Sequence, residues 1–208
     1  MRTTYAGMFD RILVDIDTQH DFMLPDGALY VPGAEQTVPN LIRLFTFARE
    51  RKVPVLSSAD CHAPDDPEFA QWPPHCIVGT TGQAKLPETL LPKRTLMQPT
   101  ETIDRPETLY DTHDQVVFNK VTIDVWTNAN AARLVERLKV GEYIVFGVAT
   151  DYCVRTAVRG LRQRGRRVAV VVDAICAVAE ETGKAAIDEM KAAGVQFVTT
   201  DQVVGATR

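Results

Sequence analysis

Three residues in this 208-residue chain have types and positions suited to covalent chemistry. Cys153 follows the apolar run Tyr143 to Val148 and the break Ala149-Thr150-Asp151. It opens a stretch with helical periodicity through Val154, Ala157, Val158 and Leu161. A thiol at a helix start meets unpaired backbone N–H groups and the positive end of the helix dipole. Both favour thiolate, and the same N–H groups can hold an oxyanion. Asp17 follows the apolar run Arg11 to Ile16, and Lys120 follows Gln115 to Asn119. A carboxylate can take the proton of a nucleophilic thiol, and a lysine beside it keeps that carboxylate charged. The plainer alternatives are a small core cysteine, a turn-capping aspartate and a surface lysine.

A second group, Asp60, His62, Glu68 and His75, falls in one irregular stretch rich in Pro, Asp and His, residues 60–82. Two imidazoles with one or two carboxylates suit a divalent ion, zinc first, with iron or manganese as alternatives. Asp60 and His62, one residue apart on extended chain, can reach the same ion. The competing reading is a set of loop residues with no ligand. Three of the four histidines, His20, His62 and His75, lie in segments already singled out, which weighs against it. Cys61 and Cys76 stay outside the set, because strand alternation turns Cys61 away from its neighbours. Phe22 and Trp72 are either core residues or the two flanks of a flat substrate ring.

The elements that must position these residues alternate in kind. Strands are expected at Arg11–Ile16, Val53–Ser58, Gln115–Asn119, Tyr143–Val148, Arg167–Val172 and Val195–Val198. Helices are expected at Glu35–Arg51, Asn128–Lys139, from Asp151 onward, and at Glu181–Ala193. This alternation predicts an α/β fold: a three-layer α/β/α sandwich with a mostly parallel, six-stranded, doubly wound sheet. In such a sheet Asp17, Asp60, Lys120 and Cys153 share the rim at the carboxyl ends of the strands. That convergence makes a site of residues that would be unremarked singly. Leu86 to Thr112, with four prolines and little periodicity, reads as a surface excursion.

Hydrophobic content of 45% and charged content of 24% are ordinary for a globular chain, so one domain spanning 1–208 is expected. A net charge of -4 argues against a nucleic-acid partner, and the cluster Arg162, Arg164, Arg166, Arg167 suits a helix end. No signal pattern or membrane-length apolar run is present, so no membrane partner is expected. The four cysteines form no CxxC pair, which fits free thiols in a reducing cytoplasm.

Taken together, DTQHDF (Asp17 to Phe22), the lysine after VVFN (Lys120) and GVATDYCV (Gly147 to Val154) resemble the isochorismatase-like cysteine hydrolases. The D-x-H of Asp60 to His62 and WPPHC (Trp72 to Cys76) resemble the nicotinamidase (pyrazinamidase) branch, and the likeness covers nearly the whole chain. The resemblance implies a triad of Cys153 as nucleophile, Asp17 as general base and Lys120 as its charged partner. Asp17 rather than Asp15 takes that role because D-x-Q-x-D-F begins there. The resemblance further implies an oxyanion hole from the N–H groups of Ala149 and Cys153, and a cis Val148–Ala149 peptide. It implies metal ligation by Asp60, His62 and His75 with Glu68 in a variable slot. Phe22 and Trp72 would flank the ring, and the protein would be a homo-oligomer without an organic cofactor.

Two segments depart from that pattern: the long excursion 86–112, and VTIDVWTN after Lys120, where Asp124 and Trp126 are expected to reshape the pocket. The leading expectation is a metal-dependent amidohydrolase that releases ammonia from nicotinamide or a close heteroaromatic amide through a cysteine thioester. The alternative keeps the fold and thiol but acts on another small amide or carbamoyl compound. An isochorismate-type reaction is disfavoured by Cys153, and a non-catalytic binding module by the intact triad.

Overall fold

β1 (Met8–Ile16) runs through the middle of the sheet, and residues Ile12 to Ile16 are completely buried, Asp15 included. A strand covered on both faces needs a continuous apolar run rather than alternation, which is what ILV-x-I supplies. The computed structural model describes residues 8–205, so the outer ends of the expected 1–208 domain lie outside the described residues. Beside β1 lie β2 (Val55–Asp60), β3 (Arg94–Met97), β4 (Gln115–Lys120), β5 (Lys139–Val148), β6 (Val168–Cys176) and β7 (Gln196–Val198). Their order is β3-β4-β2-β1-β5-β6-β7, and every neighbouring pair is parallel.

Strand parity divides the core in two. Ile12, Val14 and Ile16 face α3 (Ala129–Arg137), α4 (Arg155–Gln163) and α5 (Glu180–Ala192). Leu13, Ile144 and Phe146 face α2 (Val38–Arg51) and α6 (Thr200–Gly205). The α/β/α sandwich is therefore present. On α2 the buried set is Leu41, Leu44, Phe45 and Ala48, one helical stripe, each large side chain contributing on the order of 2 kcal/mol. Lys52, at φ 55°, ends α2 by donating its N–H to Ala48 O. At the start of α3 the Asn128 side chain accepts the N–H of Asn130.

The sheet has seven strands rather than six. The added strand, β3, comes from the excursion 86–112 and pairs from Arg94↔Gln115 to Met97↔Phe118. Only Met97 of its four residues is buried, so no pattern advertised it. Elsewhere in the excursion Tyr110 is buried and donates its hydroxyl to Val55 O at 3.1 Å. The segment therefore edges the sheet. Other boundaries move by a few residues: β2 starts at Val55 because Pro54 has no N–H to give, and β6 runs on to Cys176. The helix expected from Asp151 begins as a π turn, Thr150–Val154, before α4. No helix among the described residues is long and apolar enough to cross a membrane.

From β1 the chain goes to β2, out to the edge strand β3 and back to β4 between them, then crosses to β5 on the other side of β1. The strand order reverses beside β1, and in open parallel sheets ligands bind beyond the carboxyl ends at that point.

Candidate active site

The four strand-end residues meet there. Asp17 lies one residue past β1, at φ 49°, a conformation that turns it out of the strand direction. Asp60 and Lys120 are the last residues of β2 and β4 and are register partners, so both project from the same face. Cys153 lies in the π turn after β5. All four are buried. Lys120 Nζ is 2.8 Å from Asp17 Oδ2 and 3.7 Å from Cys153 Sγ, and it donates to Asp60 Oδ1. Ser58 Oγ donates to Asp17 Oδ1 at 2.7 Å. The other oxygen, Oδ2, has the lysine charge beside it but no aligned hydrogen bond, which leaves a lone pair for the thiol proton.

The electrostatics follow from burial and these neighbours. Burial pushes the Asp17 carboxyl above the usual carboxylate range, and Asp60 adds to this, against the pull of Lys120. Burial would raise Asp60 too, but Lys120, His62 and His75 reverse it and hold that carboxyl far below the usual range. Burial opposes the charge on Lys120, yet Asp17 and Asp60 outweigh it and keep the amine protonated well past its ordinary range. Cys153 departs from the sequence expectation of a favoured thiolate. Burial first, then the Asp17 and Asp60 carboxylates, raise its thiol well above the ordinary range despite Lys120. Burial therefore disfavours the charged form of both the Cys153 thiol and the Asp17 carboxyl, and Lys120 works against it at each.

Asp60 turns its second oxygen the other way. Oδ2 is 3.8 Å from His62 Nε2 and 3.7 Å from His75 Nε2. Among the described residues these three buried side chains form a group whose ligand atoms lie within 4.8 Å of one another. The histidines are oriented for it: His62 Nδ1 is 3.0 Å from Asp66 Oδ2, and His75 Nδ1 is 2.8 Å from Pro73 O. Each Nδ1 then carries the proton, and each Nε2 lone pair points at the space beside Asp60. His62 Nε2 is buried with no hydrogen-bond partner. An orphaned imidazole nitrogen facing a carboxylate and a second imidazole fits a divalent cation.

Glu68 belongs to a second, overlapping group with His62 and Asp66, so it sits beside the first triple rather than in it. Its half-buried carboxyl is raised by burial and by Asp60. His20 is not part of either group and lies 3.5 Å from Asp26. Cys61 and Cys76 also stay out: Cys61 Sγ approaches Gln98, and Cys76 is fully buried.

Above these groups opens a cleft lined by Asp60, Glu68, His75, Ala149, Cys153, Phe22 and Trp72 together with Leu29, Tyr152 and Ile123. The Phe22 ring lies 5.4 Å from that of His75, and Trp72 stands edge-on to Tyr152 at 5.3 Å. The Val148–Ala149 peptide is cis. Asp124 and Trp126 do not line the cleft. Trp126 packs into the core, where its Nε1 donates to Ala157 O, and Asp124 caps the turn 125–127. Ile123 is the residue of that segment that reaches the wall.

Several supporting residues were not singled out from sequence. Gln19 clamps the Asp60 backbone, accepting from its N–H at 2.7 Å and donating to its carbonyl at 2.9 Å. Asp21 accepts from Ala28 N and from Cys76 N, the residue after His75. Gly82 is confined by this carboxylate: an added Cβ would stand 2.1 Å from Asp21 Oδ2. The D-x-Q-x-D-F pattern from Asp17 to Phe22 was the available signal for Gln19 and Asp21. Asp66 and Ser58 had none.

The chain is 28% identical to the nicotinamidase of Escherichia coli (strain K12) over 91% of its own length and 94% of that protein. It is likewise 28% identical to the nicotinamidase/pyrazinamidase of Mycobacterium tuberculosis over 90% of its length and 98% of that protein. Its fold matches the pyrazinamidase of Pyrococcus horikoshii, solved in complex with zinc, at a TM-score of 0.74 and 23% identity, covering 91% and 99% of the two chains. The model of the isochorismatase domain matches residues 11–202, and this chain belongs to that family.

Proposed function

We propose that this protein is an amide hydrolase that releases ammonia from nicotinamide, or a close heteroaromatic carboxamide, through a thioester on Cys153. The observation that carries the reading is one buried ammonium, Lys120 Nζ, 2.8 Å from Asp17 and 3.7 Å from Cys153 at the floor of an aromatic-flanked cleft. The curated nicotinamidase relatives support the substrate class.

Asp17 Oδ2 takes the thiol proton as Cys153 Sγ bonds to the carboxamide carbon. The N–H groups of Ala149 and Cys153 hold the oxyanion. Asp17 then returns the proton to the leaving nitrogen, the C–N bond breaks and ammonia departs. A water molecule, deprotonated by Asp17, attacks the thioester; the acid leaves and the thiol is restored. Lys120 remains charged throughout and keeps Asp17 and Cys153 at fixed distance. Phe22 and Trp72 orient the flat ring.

Asp60, His62 and His75 would hold the divalent ion, with Glu68 at its margin. Bound there, the ion would act as a Lewis acid that fixes the ring nitrogen of the substrate. The zinc in the similar pyrazinamidase structure supports a divalent ion as the bound group.

The test is ammonia release from nicotinamide by the zinc-loaded protein, with Cys153→Ala as control. Release confined to the wild type is expected. A folded, metal-loaded wild type that releases none would overturn nicotinamide as substrate. Equal release by Cys153→Ala would overturn the nucleophile.

A further inference from the structure

Behind the site lies a second buried lysine–carboxylate pair that the reaction does not use. Lys85 Nζ is 2.9 Å from Asp15 Oδ2, on the face of β1 away from the α3/α4 layer, and both residues are buried. An ion pair inside a core is costly to desolvate, and well-packed apolar residues commonly serve as well or better for stability. Its presence two residues before Asp17 therefore calls for another account.

The hydrogen bonds supply one. Lys85 Nζ also donates to Ser58 O at 3.0 Å. Ser58 Oγ donates to Asp17 Oδ1 at 2.7 Å, and Asp17 N donates back to Ser58 Oγ at 3.3 Å. Asp15 is anchored in turn: Ser57 Oγ donates to its Oδ2 and Thr18 Oγ1 to its Oδ1, each at 2.8 Å. The backbone around Lys85 is tied to the same turn, with Leu86 N donating to Thr18 O at 2.9 Å and His20 N to Ala84 O at 2.9 Å. Apart from the Ser57 hydrogen bond, these contacts converge on the turn 17–20 and on Ser58, the two supports of the Asp17 carboxylate.

We infer that the Asp15–Lys85 pair is a positioning device: acting through Ser58, it sets which oxygen of Asp17 faces Lys120 and Cys153. With Ser58 fixed, Oδ1 is occupied and Oδ2 is presented to the cleft. Without the pair, Ser58 O loses its buried donor, Ser58 can rotate, and the carboxylate loses its fixed angle. Small misplacements of a reacting group cost up to about 10²-fold in rate. The inference rests on Asp17 being the base, so its test is built to fail separately from that assignment.

The main variant is the double substitution Asp15→Leu with Lys85→Met, which removes both charges and leaves no buried ion alone. Should it not fold, Asp15→Asn with Lys85→Gln keeps the volume with a side chain one atom too short to span Asp15 and Ser58. Three readouts are compared with wild type in the zinc-loaded protein. For ammonia release from nicotinamide, kcat should fall about 10- to 100-fold, with KM within about twofold and zinc content unchanged. Alkylation of Cys153 by iodoacetamide, followed by mass spectrometry, should slow in parallel; it needs no substrate and holds even if the amide is another. In a Ser58→Ala background the same pair of changes should add less than about twofold, because the path through Ser58 is already cut. A folded variant with wild-type kcat and wild-type alkylation overturns the inference. So does full additivity with Ser58→Ala, which would make the pair a packing element. A wild type that alkylates at Cys153 but turns over no amide would instead overturn the proposed reaction and leave the positioning result standing.

Discussion

Asp60 and Lys120, register partners on adjacent strands, share a buried hydrogen bond while the other Asp60 oxygen faces His62 and His75. One carboxylate thus joins the Asp17–Lys120–Cys153 group to the two imidazoles, the proposed metal donors. Lys120 in turn joins Asp60 to Asp17 at 2.8 Å. A change on either side of Asp60 is felt on the other.

Lys120→Met should therefore do two kinds of damage. Two buried carboxylates lose their shared counter-charge, which costs about 3–5 kcal/mol of stability, measured by urea unfolding. The kcat/KM for nicotinamide should fall by about 10³-fold. A variant with wild-type rate would remove Lys120 from the reaction.

Asp66 holds His62 Nδ1 at 3.0 Å and thereby aims Nε2. Asp66→Asn should weaken zinc binding by about 10- to 100-fold, read by competition with a chromogenic chelator. Unchanged affinity would mean that His62 is aimed by its loop alone.

Stripping the metal should lower the melting temperature as well as activity. A ligand held only by the folded state at a hundred times its Kd contributes about 2.7 kcal/mol. Calorimetry of the chelated and zinc-restored protein measures this; identical melting curves would argue that Asp60, His62 and His75 bind no ion.

The acid limb of kcat/KM should lie above the roughly 3.9 of an ordinary aspartate, because burial raises the Asp17 carboxyl and the reaction needs it ionised. The Ser58 hydrogen bond stabilises the charged form, so its loss raises that pKa further. Ser58→Ala should shift the limb to higher pH. A limb that stays in place or moves down would show that another group controls it.

Trp72 stands edge-on to Tyr152 at the mouth of the cleft. Trp72→Ala should raise KM for nicotinamide about tenfold, the loss of one aromatic contact, with kcat within about twofold. Steady-state kinetics distinguish this from a change confined to kcat.

The strand ends were legible in the sequence because buried parallel strands announce themselves as apolar runs, and the residue after each run falls on one rim. That reasoning found Asp17, Asp60, Lys120 and Cys153. It missed β3, whose residues Arg94 to Leu96 are not buried and carry no apolar signature. The resemblance, not the rim, put Trp126 at the pocket, although Gly160 opposite leaves that ring room in the core: an added Cβ there would meet Trp126 Nε1 at 2.1 Å. The thiolate expected at Cys153 followed from its helix start alone. Burial and the Asp17 and Asp60 carboxylates push the thiol the other way, and both are tertiary facts. Asp66 and Ser58 act through single hydrogen bonds across loops or strands, which residue type and spacing do not encode.

The central place of β1 carries a consequence for how the protein matures. Its two neighbours, β2 and β5, come from the first and last thirds of the chain, and Asp17 and Cys153 meet only once β5 has docked on β1. Such pairings are slow because loop closure must precede the contacts that reward it. A nascent chain on the ribosome that ends short of β5 holds Asp17, Asp60 and Lys120 without the thiol, and β1 keeps an unpaired edge. Activity is therefore gained at a late step, when β5 closes that edge and brings the cysteine with it.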